Sequence, residues 1–400
     1  MSEQSYVPEE RPAATPTAGD PAWGTGMVAA RRVSTLECFF DLVFVFTITQ
    51  LTVLLVDDLS WARAGRVLLI FAVLFWMYGG YAYLTNQVPP ETTARRVLLV
   101  AAMCGFLTCA LAVPNVFGPD GVAFGLGFLS VNVVHSVLYA LIHRQYVLSF
   151  ALTNTAAAGC VTVAGWAGGG PAADGLWLAA VVLQNVTPLI SHRITGDYTG
   201  GRARVSENLG ALEPAHFVER HGLLLLIAFG ESVVAIGAGA SATPLDWSLL
   251  TDAALALALA AALWWTYFVR DEAAAEAALH RASGADRFRM GLTAYYYSFI
   301  PMLLGVAILA AGVKKSIGQL AHHLPPAPAV ALAGGVALFL AGNVAFRASL
   351  GIRPRRHRIA AAAAVLGTVP LGTWANALAQ FLGLVLVLVA MLIVEDRTAQ

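Results

Sequence analysis

The stretch LECFFDLVFVFTITQLTVLLV, residues 36–56, decides the fold. Its length matches the roughly 20 apolar residues that carry a helix across a bilayer, yet it holds Asp41 deep inside. A second run, GLLLLIAFGESVVAIGAGA at 222–240, holds Glu231 in the same way. Hydrocarbon offers a carboxylate no water, and on insertion scales an acid near a helix centre costs about 2.5–3.5 kcal/mol. Such a group therefore faces a bundle interior or a wet cavity and marks an ion or substrate path.

The rest of the composition agrees. Hydrophobic residues make up 58% of 400, charged residues 12%, and the formal net charge is zero. Mean hydropathy is +0.70. These values exclude a water-soluble globule and predict an all-α, polytopic transmembrane helix bundle whose partner is the lipid bilayer. With no basic stripe to neutralise phosphates, nucleic acid is not an expected partner. Cys38, Cys104, Cys109 and Cys160 all fall in apolar segments, where cysteine acts as a small hydrophobe. No Cys/His spacing reads as a zinc site, and no cofactor or metal is expected.

Twelve apolar runs are long enough to span, at about 36–56, 64–85, 95–113, 121–142, 146–167, 174–192, 217–239, 247–269, 289–312, 328–347, 358–374 and 377–394. Pro114, Pro188, Pro301 and Pro370 lie in or near them and predict kinks or early helix ends. If the helices alternate, one face carries 20 of the Lys and Arg residues, and the other only Arg63, Arg66, Lys314 and Lys315. The positive excess belongs inside, which predicts cytoplasmic N- and C-termini. The expected layout is a disordered cytoplasmic tail over 1–33, a first six-helix half at 34–192, a connecting loop at 193–216, a second half at 217–394 and a short tail at 395–400.

The halves resemble each other weakly. Phe75-Trp76-Met77-Tyr78 matches Trp264-Trp265-Thr266-Tyr267, and Asp41 matches Glu231, at offsets of 189 and 190. Phe128 with Asn132 matches Phe339 with Asn343 at an offset of 211. Six helices per repeat give both halves the same orientation, as in transporters with parallel repeats.

Glu37 and Asp41 are four residues apart and share one helix face. Asp41 lies about 6 Å further along the axis, where it could exchange protons near neutral pH if burial outweighs any neighbouring arginine. Glu37 also suits a helix N-terminus, complementing the macrodipole. Glu231 lies about 13 Å past Gly222, close to the midplane. His135 could shuttle protons or pack as a neutral ring. Gln50, Gln184 and Asn185 could coordinate an ion or hydrogen-bond between helices. At the mouth of the seventh run, Glu219, Arg220 and His221 are candidates for a cytoplasmic gate. Glu219 and Arg220 are adjacent, so each is expected to pair with another element.

Other patterns carry little. Ser232 lacks a nucleophile elbow, His322-His323 lacks a third ligand, and no run has a central lysine for a Schiff base. There is no Walker-type phosphate loop. No catalytic residue is assigned.

The segment RVSTLECFFDLVFVFTITQL at 32–51 resembles the opening signature of the bacterial low temperature requirement protein A family. ERHGL at 219–223 with FGESV at 229–233 resembles its second signature, and LWWTYF at 263–268 a third. The similarity spans about 32–394. It implies a multi-pass bacterial inner-membrane protein without an established substrate or reaction, and it makes Glu37, Asp41, Gln50, Glu219, Arg220 and Glu231 the signature polar residues. Family members place a histidine after the tyrosines of the ninth helix. This chain instead reads YYYSFIP at 295–301.

Three functions remain open. One is a secondary transporter or proton/ion-coupled permease for an unidentified small molecule or ion, with Asp41 and Glu231 lining one cavity. The others are an intramembrane lipid- or isoprenoid-modifying enzyme and a non-catalytic membrane-stress or scaffold protein. Sequence leaves substrate and oligomeric state open.

Overall fold

The structure, a computed structural model, describes residues 32–140, 147–194, 212–241 and 244–399. Most of the predicted tail (1–33) and connecting loop (193–216) lies outside the described residues. Every regular element among those described is helical, as the composition requires of a chain that must satisfy its backbone within lipid.

The first six helices are α1 Thr35–Asp57, α2 Trp61–Gln87, α3 Thr93–Ala112, α4 Gly121–Ala140, α5 Val147–Ala167 and α6 Pro171–Ile194. They are followed by α7 Pro214–Ala240, α8 Trp247–Phe268, α9 Asp271–Arg281, α10 Gly284–Leu292, α11 Phe299–Ser316, α12 Pro326–Ser349, α13 Arg356–Leu366 and α14 Ala377–Ala399. Each of the twelve apolar runs falls on helix. Ten spans among the described residues are long and apolar enough to cross a membrane, with short helices joined to their neighbours where the chain bends.

The bends have local causes. Pro301 lacks an N–H, and the turn before it widens to a π-helical Thr293–Tyr297, closed by Ser298 N donating to Thr293 O at 3.1 Å. Pro370 follows the end of α13 and precedes a second π turn, Leu371–Ala375. Pro114 sits in the 3₁₀ turn Val113–Asn115 that ends α3. Pro188, by contrast, lies within an unbroken α6. Just past the eighth run the helical path breaks at Arg270, whose backbone is non-helical (φ −139°). The break turns Asp271 into the protein, where it is fully buried.

Helices pack in a recurring order. In the first half α1 packs on α2 and α3, α3 on α4, α4 on α5, α5 on α6, and α6 returns to α2. In the second, α7 packs on α8 and α11, α11 on α12, α12 on α13, α13 on α14, and α14 returns to α8. Helix α1 joins the two sets by packing on α7 and α11. Small residues let the tightest pairs approach. A Cβ on Gly305 would meet Phe339 N at 2.6 Å and one on Gly335 would meet Leu309 N at 2.5 Å, so α11 and α12 touch through backbone. Gly121 and Gly165 do the same for α4 and α5.

Two kinds of residue mark the ends of the bundle. Trp61, Trp166, Trp247 and Trp374 are 83%, 82%, 85% and 81% exposed. They lie at the start of α2, the end of α5, the start of α8 and the turn before α14. Along an alternating bundle all four fall at the end opposite the start of α1, as an interfacial aromatic girdle does. The buried ion pairs gather at the other end.

Candidate functional site: a buried charge junction between α1 and α7

Helix α1 begins with a capping box. Ser34 Oγ accepts from Glu37 N at 3.3 Å, and Glu37 Oε2 accepts from Ser34 N at 2.9 Å. This fixes Glu37 at the first turn, with Asp41 one turn deeper. Opposite them, α7 presents Arg220. Its Nη2 lies 3.0 Å and its Nε 3.2 Å from Asp41 Oδ1, and its Nη1 lies 3.4 Å from Glu37 Oε1. All three side chains are fully buried. From α2, Tyr78 OH donates to Asp41 Oδ1 at 3.0 Å, and Thr85 Oγ1 accepts from Arg220 Nη1. The guanidinium also lies over the rings of Phe40 and Tyr78, at 5.6 and 5.7 Å.

Two details set the charge of this junction. Asn86 Oδ1 accepts from Glu213 N at 2.9 Å, which orients the amide so that its Nδ2 donates to His216 Nδ1 at 3.1 Å. His216 thus carries its proton on Nε2, which donates to Glu37 at 3.2 Å. With His216 Nδ1 taken up as the acceptor from Asn86, two carboxylates face one guanidinium. Asp41 Oδ2 is buried and has no hydrogen-bond partner among the described residues. Fully ionised, the junction holds one uncompensated negative charge in a low-dielectric setting, an expensive state. One bound proton neutralises it.

The other predicted residues are placed as follows. Glu219 Oε2 accepts from Val33 N at 3.1 Å and tethers the segment before α1. His221 is buried one turn in from Phe217, with Nδ1 2.8 Å from Phe217 O and its ring among Phe217, Tyr295 and Phe299. Glu231 lies eleven residues past Arg220 on α7, about 16 Å along the axis. There it accepts from Thr49 Oγ1 of α1 at 2.7 Å, with Gln50 half-buried beside Thr49. Asp41 and Glu231 therefore occupy successive stations along the α1/α7 seam, each with its own partner, and do not meet. His135 on α4 packs edge-on to Tyr81, with ring centroids 5.0 Å apart. Gln184 Nε2 reaches Asn154 Oδ1 at 3.3 Å, between α6 and α5.

A second buried cluster escaped the reading of the sequence. Arg358 on α13 grips Glu395 of α14 with Nε–Oε1 and Nη2–Oε2 both 2.9 Å, and its Nη1 lies 2.5 Å from Asp271 Oδ2. Arg347 Nη1 lies 3.0 Å from Glu395 Oε1, and Asn343 Nδ2 donates to Asp271 Oδ2 at 3.0 Å. Here two acids balance two arginines. Its charged residues sit at run ends, where charges read as solvated connections. The available signal was Glu395, an acid directly following the apolar run of α14. Among the described residues no group of three or more His, Cys, Asp and Glu side chains gathers as a metal site.

A helical bundle with ion pairs buried between its spans is a polytopic membrane protein. The family of bacterial low temperature requirement A proteins matches residues 32–393, and the chain belongs to that family. It is also 26% identical over 344 residues, 82% of this chain and 80% of the relative, to an uncharacterized protein of Rhizobium meliloti (strain 1021).

Proposed function

We propose that this chain is a proton-coupled permease of the bacterial inner membrane with cytoplasmic termini, moving a small molecule or ion. In this reading Glu37 and Asp41 hold the coupling proton and Arg220 is their fixed counter-charge. Glu231 with Thr49 forms a second polar station about 12 Å deeper along α1 than Asp41. The observation that carries the reading is the imbalance at the α1/α7 junction, where two buried carboxylates share one guanidinium. A proton there decides whether the first helices of the two halves are held by a neutral or a charged contact. The recurrence of helix neighbours in both halves supports two parallel six-helix repeats moving about this seam.

A structural lock is the second reading, favoured by the density of hydrogen bonds around Arg220. Proteoliposomes containing a pH-sensitive dye separate the two. The permease reading expects an imposed gradient to drive proton flux that falls at least about tenfold in Asp41→Asn, since the group that carries the proton is gone. Glu231→Gln tests the second station in the same assay. Flux unchanged in both variants, with stability lowered, leaves the lock.

A further inference from the structure

A pocket of 420 Å³ opens where α8 and α14 end, beside the balanced cluster. It lies at the same end of the bundle as the α1/α7 junction. Its wall has two chemistries. Trp265, Val389 and Ile393 line it with apolar surface and are about half exposed on the flank of the bundle. At its headward rim stand Arg270, Arg358 and Arg397, against Glu395 and Asp396.

The charges do not cancel. Glu395 is committed to Arg358 and Arg347. Asp396 pairs with Arg270 at 2.5 Å, but its side chain is 60% exposed. Arg397 has no ion pair among the described residues. The rim therefore keeps a positive excess, directly above an apolar slot that faces lipid.

The geometry points to a site for one anionic phospholipid, its phosphate held by Arg270 and Arg397 and an acyl chain lying along Trp265, Val389 and Ile393. Guanidinium groups match phosphate oxygens bidentately. Clustered basic residues beside spans at the interface select anionic headgroups over zwitterionic ones, which bring their own cation. Arg358, pinned on both sides by acids, serves as the rigid floor of the site and keeps Glu395 from neutralising the rim. This inference does not depend on transport.

Trp265 provides the probe. The full-length protein is reconstituted in phosphatidylcholine nanodiscs containing increasing amounts of brominated phosphatidylglycerol or brominated phosphatidylcholine. Quenching at Trp265 is obtained by difference from Trp265→Phe. Phosphatidylglycerol should be preferred by at least about fivefold, the factor that one interfacial arginine supplies. The preference should fall to near one in Arg270→Gln/Arg397→Gln, whose side chains lie outside the balanced cluster, and should rise in Asp396→Asn. Equal quenching by the two lipids overturns the proposal, as does a preference unchanged in the double variant. Abolition of the preference by millimolar inorganic phosphate also overturns it, because the site would then take the free anion.

Discussion

Arg220 of α7 and Asp41 of α1 meet at 3.0 Å, with neither side chain reaching solvent. They lie 179 residues apart in the chain. The pair fastens the start of one half to the start of the other, and Glu37 makes it a triad with one acid to spare.

Removing the cation should be costly. Arg220→Gln leaves Glu37 and Asp41 buried together, and losing one partner of a buried pair costs about 3–5 kcal/mol. Asp41→Asn added to Arg220→Gln should recover part of that loss. Denaturation of the four proteins of this double-mutant cycle in detergent measures the coupling. Strictly additive losses would mean that the two groups do not interact.

The balanced cluster should respond differently. Glu395→Gln leaves Arg347 and Arg358 sharing only Asp271, so two buried guanidiniums lose their common acid. A loss of about 3–5 kcal/mol is expected, with no effect on proton flux, because this cluster holds no spare carboxylate. Thermal unfolding and the dye assay read the two quantities separately.

Packing of α4 on α5 makes a steric prediction. A methyl group at Gly165 would collide with the backbone of Gly121, whereas one at Gly159 meets nothing within 4 Å. Gly165→Ala should destabilise by about 1–3 kcal/mol through overpacking. Gly159→Ala should be neutral or stabilise by up to about 1 kcal/mol, as Ala replaces Gly in a helix. Equal effects would contradict this contact.

Alternation of the spans places the connection before α12, which carries Gln319, and the one after it, which carries Arg353, on opposite faces of the membrane. With the four native cysteines inside the apolar segments, Gln319→Cys in intact cells should react with a membrane-impermeant maleimide. Arg353→Cys should react only after permeabilisation. The reverse pattern would invert the orientation drawn from the distribution of Lys and Arg.

Much of this architecture was legible in the chain. Apolar length alone located the helices, because hydrocarbon leaves the backbone no alternative. Pro301 and Pro370 announced disturbances, but the widened turns beside them depend on which carbonyl finds which N–H in three dimensions. For the site, the four-residue spacing put Glu37 and Asp41 on one face, and the adjacency of Glu219 and Arg220 implied separate partners. What the chain did not disclose was which cation faces which acid. Asp41 and Glu231 looked equivalent by offset, yet Arg220 stands at the level of the first and Thr49 at the level of the second. Likewise Asp271, Asn343, Arg358 and Glu395 are brought together only by folding, from positions up to 124 residues apart.

The tryptophans at the far rim bear on how the molecule rides in its membrane. Four indoles that prefer the headgroup layer hold that face at constant depth. When acyl chains order and the bilayer thickens, the mismatch has to be absorbed at the opposite face. There Arg220, Arg347 and Arg358 would be drawn toward hydrocarbon, and the cost of moving charge in that direction makes this face the thickness-sensitive side of the protein.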